Sequence, residues 1–496
     1  MPTRQTVAMP AMVAQPGPQP MGRFRRSGPN WQVEVVHVHR VAAAELARLL
    51  GAWRGCGPTL PAALATTLAE LVDSAVLPEA AVLPAQRPLA RALGVARGTV
   101  TTAYEQLAAG GRLTAEPGSG SRVRRRQPGG PGVAGGRLVS FTGAEPAPAD
   151  LSSGALPGTG LTAGALAALG PADLEPYLGT DGYFPAGIPR LRAMIARLLT
   201  DDGVPTTPEQ VLVTAGAQQA VWLVAHTLVT PGDLVVVEEP SYRGALEAFA
   251  GAGTRLRGIR WTADGIDHGH LRAALRRSPA LLYCQPSVHN PTGERMPAAA
   301  RAELAKLVTA AGLRTVEDRS SADLVFSGPV PAPGLAAHVP PELLVSIGTA
   351  SKLFWGGLRI GWLRADAPTI TRLTEARKAI DLGCSVVDQL VAAGLLRKIT
   401  QARAARRTLL TDRLGSTVDV LGRLFPRWRW TRPAGGTGLW ADTGEDAVRL
   451  AQRALAAGVK LAPGPAFSAY DGFRTHLRLP LWHPPEKLEP VLAALR

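Results

Sequence analysis

Ile347-Gly348-Thr349-Ala350-Ser351-Lys352, followed by Gly357-Leu358-Arg359, decides how most of this 496-residue chain is read. The apolar run Leu343–Ile347 reads as a short buried strand, and the polar groups begin where it ends. Open α/β sheets bind ligands just beyond the carboxyl ends of their strands. A Thr hydroxyl and an Arg guanidinium there can hold a phosphate dianion, the guanidinium as a fork. The lysine stands out by composition. The chain has 48 arginines and six lysines, and none of the lysines precedes Lys306. Where only positive charge is needed, this chain uses Arg. A Lys at a strand end therefore points to amine chemistry, which a guanidinium cannot perform.

Three further motifs fall at strand ends. Val213-Thr214-Ala215-Gly216-Ala217-Gln218-Gln219-Ala220 joins a strand to a helix, and the N–H groups of Ala217 and Gln218 at that helix start suit a phosphate. Asn290-Pro291-Thr292-Gly293 follows the strand Leu281–Tyr283, and Asn290 can donate to a phenolate oxygen. Val316-Glu317-Asp318 ends another strand. A carboxylate such as Asp318 can pair with a protonated pyridine nitrogen. Taken singly, these are also what ordinary βα loops and turns look like. Around them, the runs Val211–Val213, Leu234–Val237 and Thr315–Val316 read as buried strands. Helical patterns such as Gln218–Thr230 and Ala298–Gly312 lie between them. Such alternation predicts a mainly parallel sheet with helices on both faces. After Asp412 the apolar runs shorten, and Gly435–Trp440 and Leu477–Leu481 read as strands of a smaller α+β part. Trp428-Arg429-Trp430 reads as strand packing.

In this order and spacing the four motifs resemble fold-type I pyridoxal phosphate enzymes of the aminotransferase class I/II kind, over Leu151–Arg496. The resemblance implies pyridoxal 5'-phosphate as cofactor. It casts Lys352 as the catalytic, Schiff-base lysine. Thr349, Arg359, Ala217 and Gln218 hold the phosphate, Asn290 the phenolate oxygen and Asp318 the ring nitrogen. Tyr242, in Glu238-Glu239-Pro240-Ser241-Tyr242, matches the aromatic stacked on the ring. Arg478, in His476-Leu477-Arg478-Leu479, matches the arginine that binds a substrate carboxylate. Gly182-Tyr183 and Pro185-Ala186-Gly187 match the loop near the partner subunit's phosphate. One residue departs. Where the family has a Tyr two positions beyond the ring-nitrogen Asp, this chain has Ser320, too short to reach the ring O3′. Cofactor binding is expected to survive, with poorer proton-transfer chemistry.

The N-terminal quarter has another character. Residues 1–126 hold 15 arginines and seven acidic residues, a net charge of +8 out of +15 for the chain. Such an excess favours a phosphate-bearing partner. Ala43–Trp53, Pro61–Val76, Pro84–Leu93 and Arg97–Ala109 read as helices. Arg112–Ala115 and Ser121–Val123 read as strands around Glu116-Pro117-Gly118-Ser119-Gly120. The stretch Leu83–Arg124 resembles the winged helix-turn-helix of GntR regulators through Leu83-Pro84, Arg87, Leu89-Ala90, Leu93-Gly94-Val95, Arg97, Thr99-Val100, Tyr104, Leu107, Gly111 and Gly118-Ser119-Gly120. Arg97 and Thr99 open the recognition helix, where side chains reach base edges. Arg87 suits a phosphate, and Gly118 and Gly120 shape the wing. Ala85 and Ala96 stand where family members usually carry Ser, so two helix caps are lost, each worth about 1 kcal/mol. Arg124-Arg125-Arg126 adds phosphate contacts or is a solvated charged face.

A GntR-type reader ahead of an aminotransferase-like domain is the layout of the MocR subfamily of regulators, which this chain resembles. The expected protein is multidomain: a flexible tail at 1–42, a winged helix at 43–126, a Pro/Gly-rich linker at 127–150, and the α/β fold-type I domain with its smaller α+β part at 151–496. The resemblance implies a homodimer, head to tail, that binds double-stranded DNA under control of the cofactor and an amine or amino-acid effector. The alternatives are an active transaminase carrying a DNA-binding domain, and a large domain that serves only as a dimerisation platform. Three scattered cysteines suggest neither a disulfide framework nor a zinc cluster, and no metal site is expected. His37, His39, His268 and His270 read as solvated. No apolar run reaches the length of a membrane helix, and the Pro-rich start lacks a secretory core, so a cytoplasmic protein is expected.

Overall fold

The computed structural model describes residues 40–51, 53–55, 59–73, 76–78, 81–109, 112–116, 120–124, 137, 149–330 and 333–495. The tail with His37 and His39, the Gly-rich stretch 127–136, Gly118, Arg125 and Arg126 lie outside these residues.

The reader is built on helices Ala43–Leu50, Leu60–Asp73, Gln86–Leu93 and Arg97–Ala109, then strands β1 (Leu113–Glu116) and β2 (Gly120–Val123). Val100, Tyr104 and Leu107 form one stripe of the last helix and are buried with Leu64, Leu68 and Leu89. The expected helix Ala43–Trp53 stops at Leu50 and resumes as a 3-10 turn, Trp53–Gly55. Gly94 ends its helix in the left-handed region at φ 62°, a conformation in which a Cβ is strained. The two strands pair antiparallel, Leu113 opposite Val123, and Val82 bridges to Arg122, so the hairpin is anchored to the segment before the helix-turn-helix.

The large domain starts earlier than expected. Ala149–Asp150 form β3, which pairs with β14 (Val459–Lys460), so the last two residues assigned to the linker belong to the folded part. Its main sheet contains β4 (Val211–Thr214), β5 (Leu234–Glu239), β6 (Arg255–Thr262), β7 (Gly265–Ile266), β8 (Leu281–Cys284), β9 (Thr315–Asp318), β10 (Leu344–Thr349) and β11 (Gly361–Arg364). Their order is β4-β11-β10-β9-β8-β5-β6-β7. The run β10-β9-β8-β5-β6 is parallel, while β11 lies antiparallel between β10 and β4. β4, β5, β8, β9 and β10 are almost wholly buried, as a sheet covered on both faces requires. Sequence periodicity missed β6, whose polar–apolar alternation slips phase at Gly258–Ile259, and β11, only four residues long.

The smaller part is a sheet of β12 (Arg429–Trp430), β13 (Gly438–Asp442), β16 (His476–Pro480) and β15 (Ala462–Pro463). It is reached by a 26-residue helix, Ile399–Leu424, which runs straight through the region near Asp412 where the apolar runs shorten. Its buried face (Ala402, Arg406, Leu410, Leu414, Val420, Leu421) is diluted by polar residues, which hid its length. His268 and His270, expected in a loop before a helix Leu271–Arg277, instead begin the helix His268–Leu275, because Asp267 caps it through the His270 N–H.

Candidate cofactor and DNA-binding sites

The parallel strands deliver their carboxyl ends to one edge of the sheet, and there the motif residues converge. Lys352 follows β10, and its Nζ donates to the Gly154 carbonyl at 2.9 Å. Burial, then the neighbouring Arg478 charge, push its ammonium down to about 8. Arg478 lies on β16, donates to Thr437 Oγ1 at 2.7 Å and packs against Gly154 so closely that no Cβ fits there. Burial pushes its guanidinium down to about 10. A cation held dry without a salt bridge among the described residues suits an incoming carboxylate.

Asp318 ends β9 and is buried. Its Oδ2 accepts from the Tyr283 hydroxyl at 2.6 Å and from Gln285 Nε2 at 3.1 Å, and its Oδ1 from the Ser320 N–H at 2.8 Å. Gln285 also accepts the Asn290 N–H at 3.2 Å, so one amide side chain joins the carboxylate to the Asn290 turn. The Ser320 hydroxyl is buried without a partner among the described residues. Tyr242 donates to Gln218 Oε1 at 2.9 Å, and burial raises its phenol to about 12.

The phosphate motif forms a cradle. The helix Ala217–Thr227 starts after Gly216, whose φ of 82° favours glycine. Arg359 hydrogen-bonds the Ala215 carbonyl, and its guanidinium would lie 3.2 Å from any Cβ at 216. A Cβ at Gly361 would lie 2.7 Å from the Gly216 carbonyl carbon and 2.9 Å from Ala217 N, so glycine there lets β11 approach the helix start, which no side chain caps. Thr349 Oγ1 lies 3.2 Å from the Ile360 carbonyl and 3.0 Å from Ser351 Oγ, so Ser351 brings a second hydroxyl to the same place.

Sequence reading missed Gly154, Thr437, Tyr283, Gln285 and Arg243. The last is buried and donates to the Ser152 carbonyl at 3.3 Å. Tyr283 and Gln285 had a signal, as polar residues at the end of an otherwise apolar strand. Gly154 had none, since it arrives from a distant segment. A separate cavity, lined by Asp202, Arg319, Asp323, Trp362 and Arg403 among others, shares Ile347, Gly348 and Thr349 with the motif residues. There Arg403 pairs with Asp202 at 3.0 Å and Asp323 at 2.8 Å, which satisfies its charge internally.

In the reader, Arg87 and Arg97 are exposed and Thr99 half-buried. Arg97 reaches Gln86 Oε1 only at 3.5 Å, so its guanidinium is available to another partner. Tyr104 donates to the Pro84 carbonyl at 2.9 Å and ties the helix Arg97–Ala109 to the segment before Gln86–Leu93. Gly120 opens β2. Among the described residues, Arg112 donates to the Tyr470 carbonyl at 3.1 Å and Glu70 pairs with Arg257 at 3.8 Å, both between the reader and the large domain.

No helix among the described residues is long and apolar enough to cross a membrane. Residues 150–495 match the family described as aminotransferase class I and II, and residues 61–123 match the bacterial regulatory proteins of the gntR family. A 2-aminoadipate transaminase of Thermus thermophilus is 33% identical over 311 residues, which cover 61% of this chain and 76% of that protein. YisV of Bacillus subtilis, an uncharacterized HTH-type transcriptional regulator, is 30% identical over 393 residues, 72% of this chain and 78% of its own. The crystal structure of LysN, an alpha-aminoadipate aminotransferase of Thermus thermophilus complexed with N-(5'-phosphopyridoxyl)-L-leucine, superposes with a TM-score of 0.63. It is 30% identical, and the match covers 70% of this chain and 90% of that one.

Proposed function

Because the chain belongs to the MocR-type regulators of the GntR family, with a helix-turn-helix reader ahead of an aminotransferase-like domain, we propose that it regulates transcription by sensing an amine or amino acid through pyridoxal 5'-phosphate at Lys352. The residues present fit that group. The helix start at Gly216–Ala217, which no side chain caps, with Arg359 beside it suits a phosphate dianion. The Ser320 hydroxyl, unpartnered among the described residues, leaves an acceptor and donor beside Asp318. Bound there, the cofactor would supply an aldehyde carbon that exchanges amines and a ring that withdraws electrons.

The chain's own residues then divide the work. Lys352 holds the cofactor and yields to an incoming amine. Its depressed ammonium makes the neutral, nucleophilic form accessible near neutral pH. Thr349, Arg359 and the Ala217 and Gln218 amides hold the phosphate. Asp318 pairs with the ring nitrogen, Asn290 with the phenolate oxygen, and Tyr242 covers the ring. Arg478 receives the effector's carboxylate. In the reader, Arg97 and Thr99 read bases, Arg87 holds phosphate, and Gly118 and Gly120 let the wing approach the duplex.

The observation that carries this reading is the half-buried Lys352 amine, its ammonium pushed down by desolvation, beside the buried Arg478 and at the same strand edge as Asp318. Ser320 in place of a phenol favours sensing over turnover. The exposed apolar residues around the Tyr183 loop support a homodimer. Leu178 is 76% and Tyr183 61% exposed, and Leu382 adjoins Gly383, which packs on Phe184. The deciding experiment is a fluorescence-anisotropy titration of the upstream DNA with full-length protein, with and without pyridoxal phosphate and candidate amines. A ligand-dependent change of affinity is expected. Identical curves under every ligand condition would make the large domain a platform.

A further inference from the structure

A carboxylate offers about four hydrogen-bond acceptor sites. Three of those on Asp318 are filled by the protein itself: Tyr283 OH and Gln285 Nε2 on Oδ2, and the Ser320 N–H on Oδ1. Roughly one site is left, and the oxygens cannot swing to offer another. The strongest of the three is the phenol. At 2.6 Å it has the short length of a hydrogen bond to a charged acceptor. Both partners are buried, so water does not compete for the bond. Burial, and next the Asp318 charge, raise the Tyr283 phenol well above its ordinary value, so it stays a donor throughout the working pH range.

We propose that Tyr283 is a positioning residue for the cofactor: its phenol holds the Asp318 carboxylate turned so that its last acceptor site meets the ring nitrogen. This rests on the reading of pyridoxal phosphate at Lys352. A hydrogen bond given to a carboxylate favours the charged form, which in turn favours a proton on the ring nitrogen. Other titratable groups surround the pair. Burial raises the carboxyl of Glu238 on β5 and the thiol of Cys284 on β8 well above their ordinary values. Burial raises the Tyr242 phenol as well, and Lys352 faces Asp318 across the site. The chain thereby keeps the electron-withdrawing side of the site intact while Ser320 gives up the O3′ side.

The test uses full-length protein loaded with pyridoxal phosphate labelled with nitrogen-15 in the ring. In Tyr283→Phe, the ring-nitrogen resonance should move from the protonated towards the neutral position. The pH midpoint of the lysine-linked absorbance band should rise by about one unit, the scale of one hydrogen bond to a charged group. Gln285→Leu, which removes the other donor to the same oxygen, should shift both in the same direction by less. In an Asp318→Asn background, Tyr283→Phe should move neither. An unmoved resonance and midpoint in both single variants overturns the proposal, as does an equal shift with Asp318→Asn. Absence of the lysine-linked band in the wild type would instead sink the cofactor reading itself.

Discussion

Ser320 donates its backbone N–H to Asp318 Oδ1 at 2.8 Å, while its own hydroxyl finds no partner among the described residues. The backbone of this segment thus supports the aspartate. A serine oxygen lies several ångströms short of a tyrosine's. The consequence is confined to one side of the site.

Ser320→Tyr should lower the pH at which the lysine-linked cofactor loses its imine proton, because a phenol donating to O3′ stabilises the deprotonated link. Spectrophotometric titration of the two proteins measures this. Wild-type half-transamination with common amino acids should be slow. Turnover in the enzymatic range, about 1–1000 per second, would favour the transaminase reading over the regulator.

Borohydride should fix the cofactor on Lys352, as peptide mapping would show. Lys352→Ala should leave DNA binding intact but abolish its response to amines, with a lost coupling of about 1–3 kcal/mol. Recovery of the reduced cofactor on another lysine would move the site. The lysine also has a stability signature. Its folded ammonium, at about 8, lies below the unfolded value, so the folded state loses its proton first. Stability of the cofactor-free protein should therefore rise from pH 8 towards the unfolded lysine value, and Lys352→Met should remove that rise.

Arg97→Ala should cost about 1–3 kcal/mol at the specific site and relax preference at one position, because an exposed guanidinium at a recognition-helix start can fork onto a guanine. Arg87→Ala should weaken all sequences alike and flatten the salt dependence, as loss of a phosphate contact does. Anisotropy titrations at several salt concentrations separate the two. A uniform loss from Arg97→Ala would reassign it to the backbone.

Ala85 takes the N-cap position of Gln86–Leu93 with φ −59° and ψ 149°, and has no side-chain oxygen to offer. Ala85→Ser should stabilise the reader by about 1 kcal/mol, the usual worth of such a cap. Thermal unfolding followed in the reader would show it. No gain would mean that the free N–H groups are already served by water.

The layout of the chain was legible from local order alone. The reader's helices follow from apolar spacing at Val100, Tyr104 and Leu107, and the strand ends from short apolar runs broken by Thr349, Asp318 or Asn290, because period and punctuation are properties of neighbouring residues. Lys352 could be singled out by its rarity among arginines. What a residue touches across the fold could not be read this way. That Gly154 lies on Lys352 and Arg478, that Tyr283 grips Asp318 from the next strand, and that Gln285 ties Asp318 to Asn290 depend on strand order and register, which bring together residues up to 324 positions apart. The same holds for β11, four residues with no pattern of their own, which becomes a strand because β10 and β4 supply hydrogen-bond partners on both sides. Hydrogen-bond satisfaction of a buried backbone is a property of the assembled sheet, and it was decided only there.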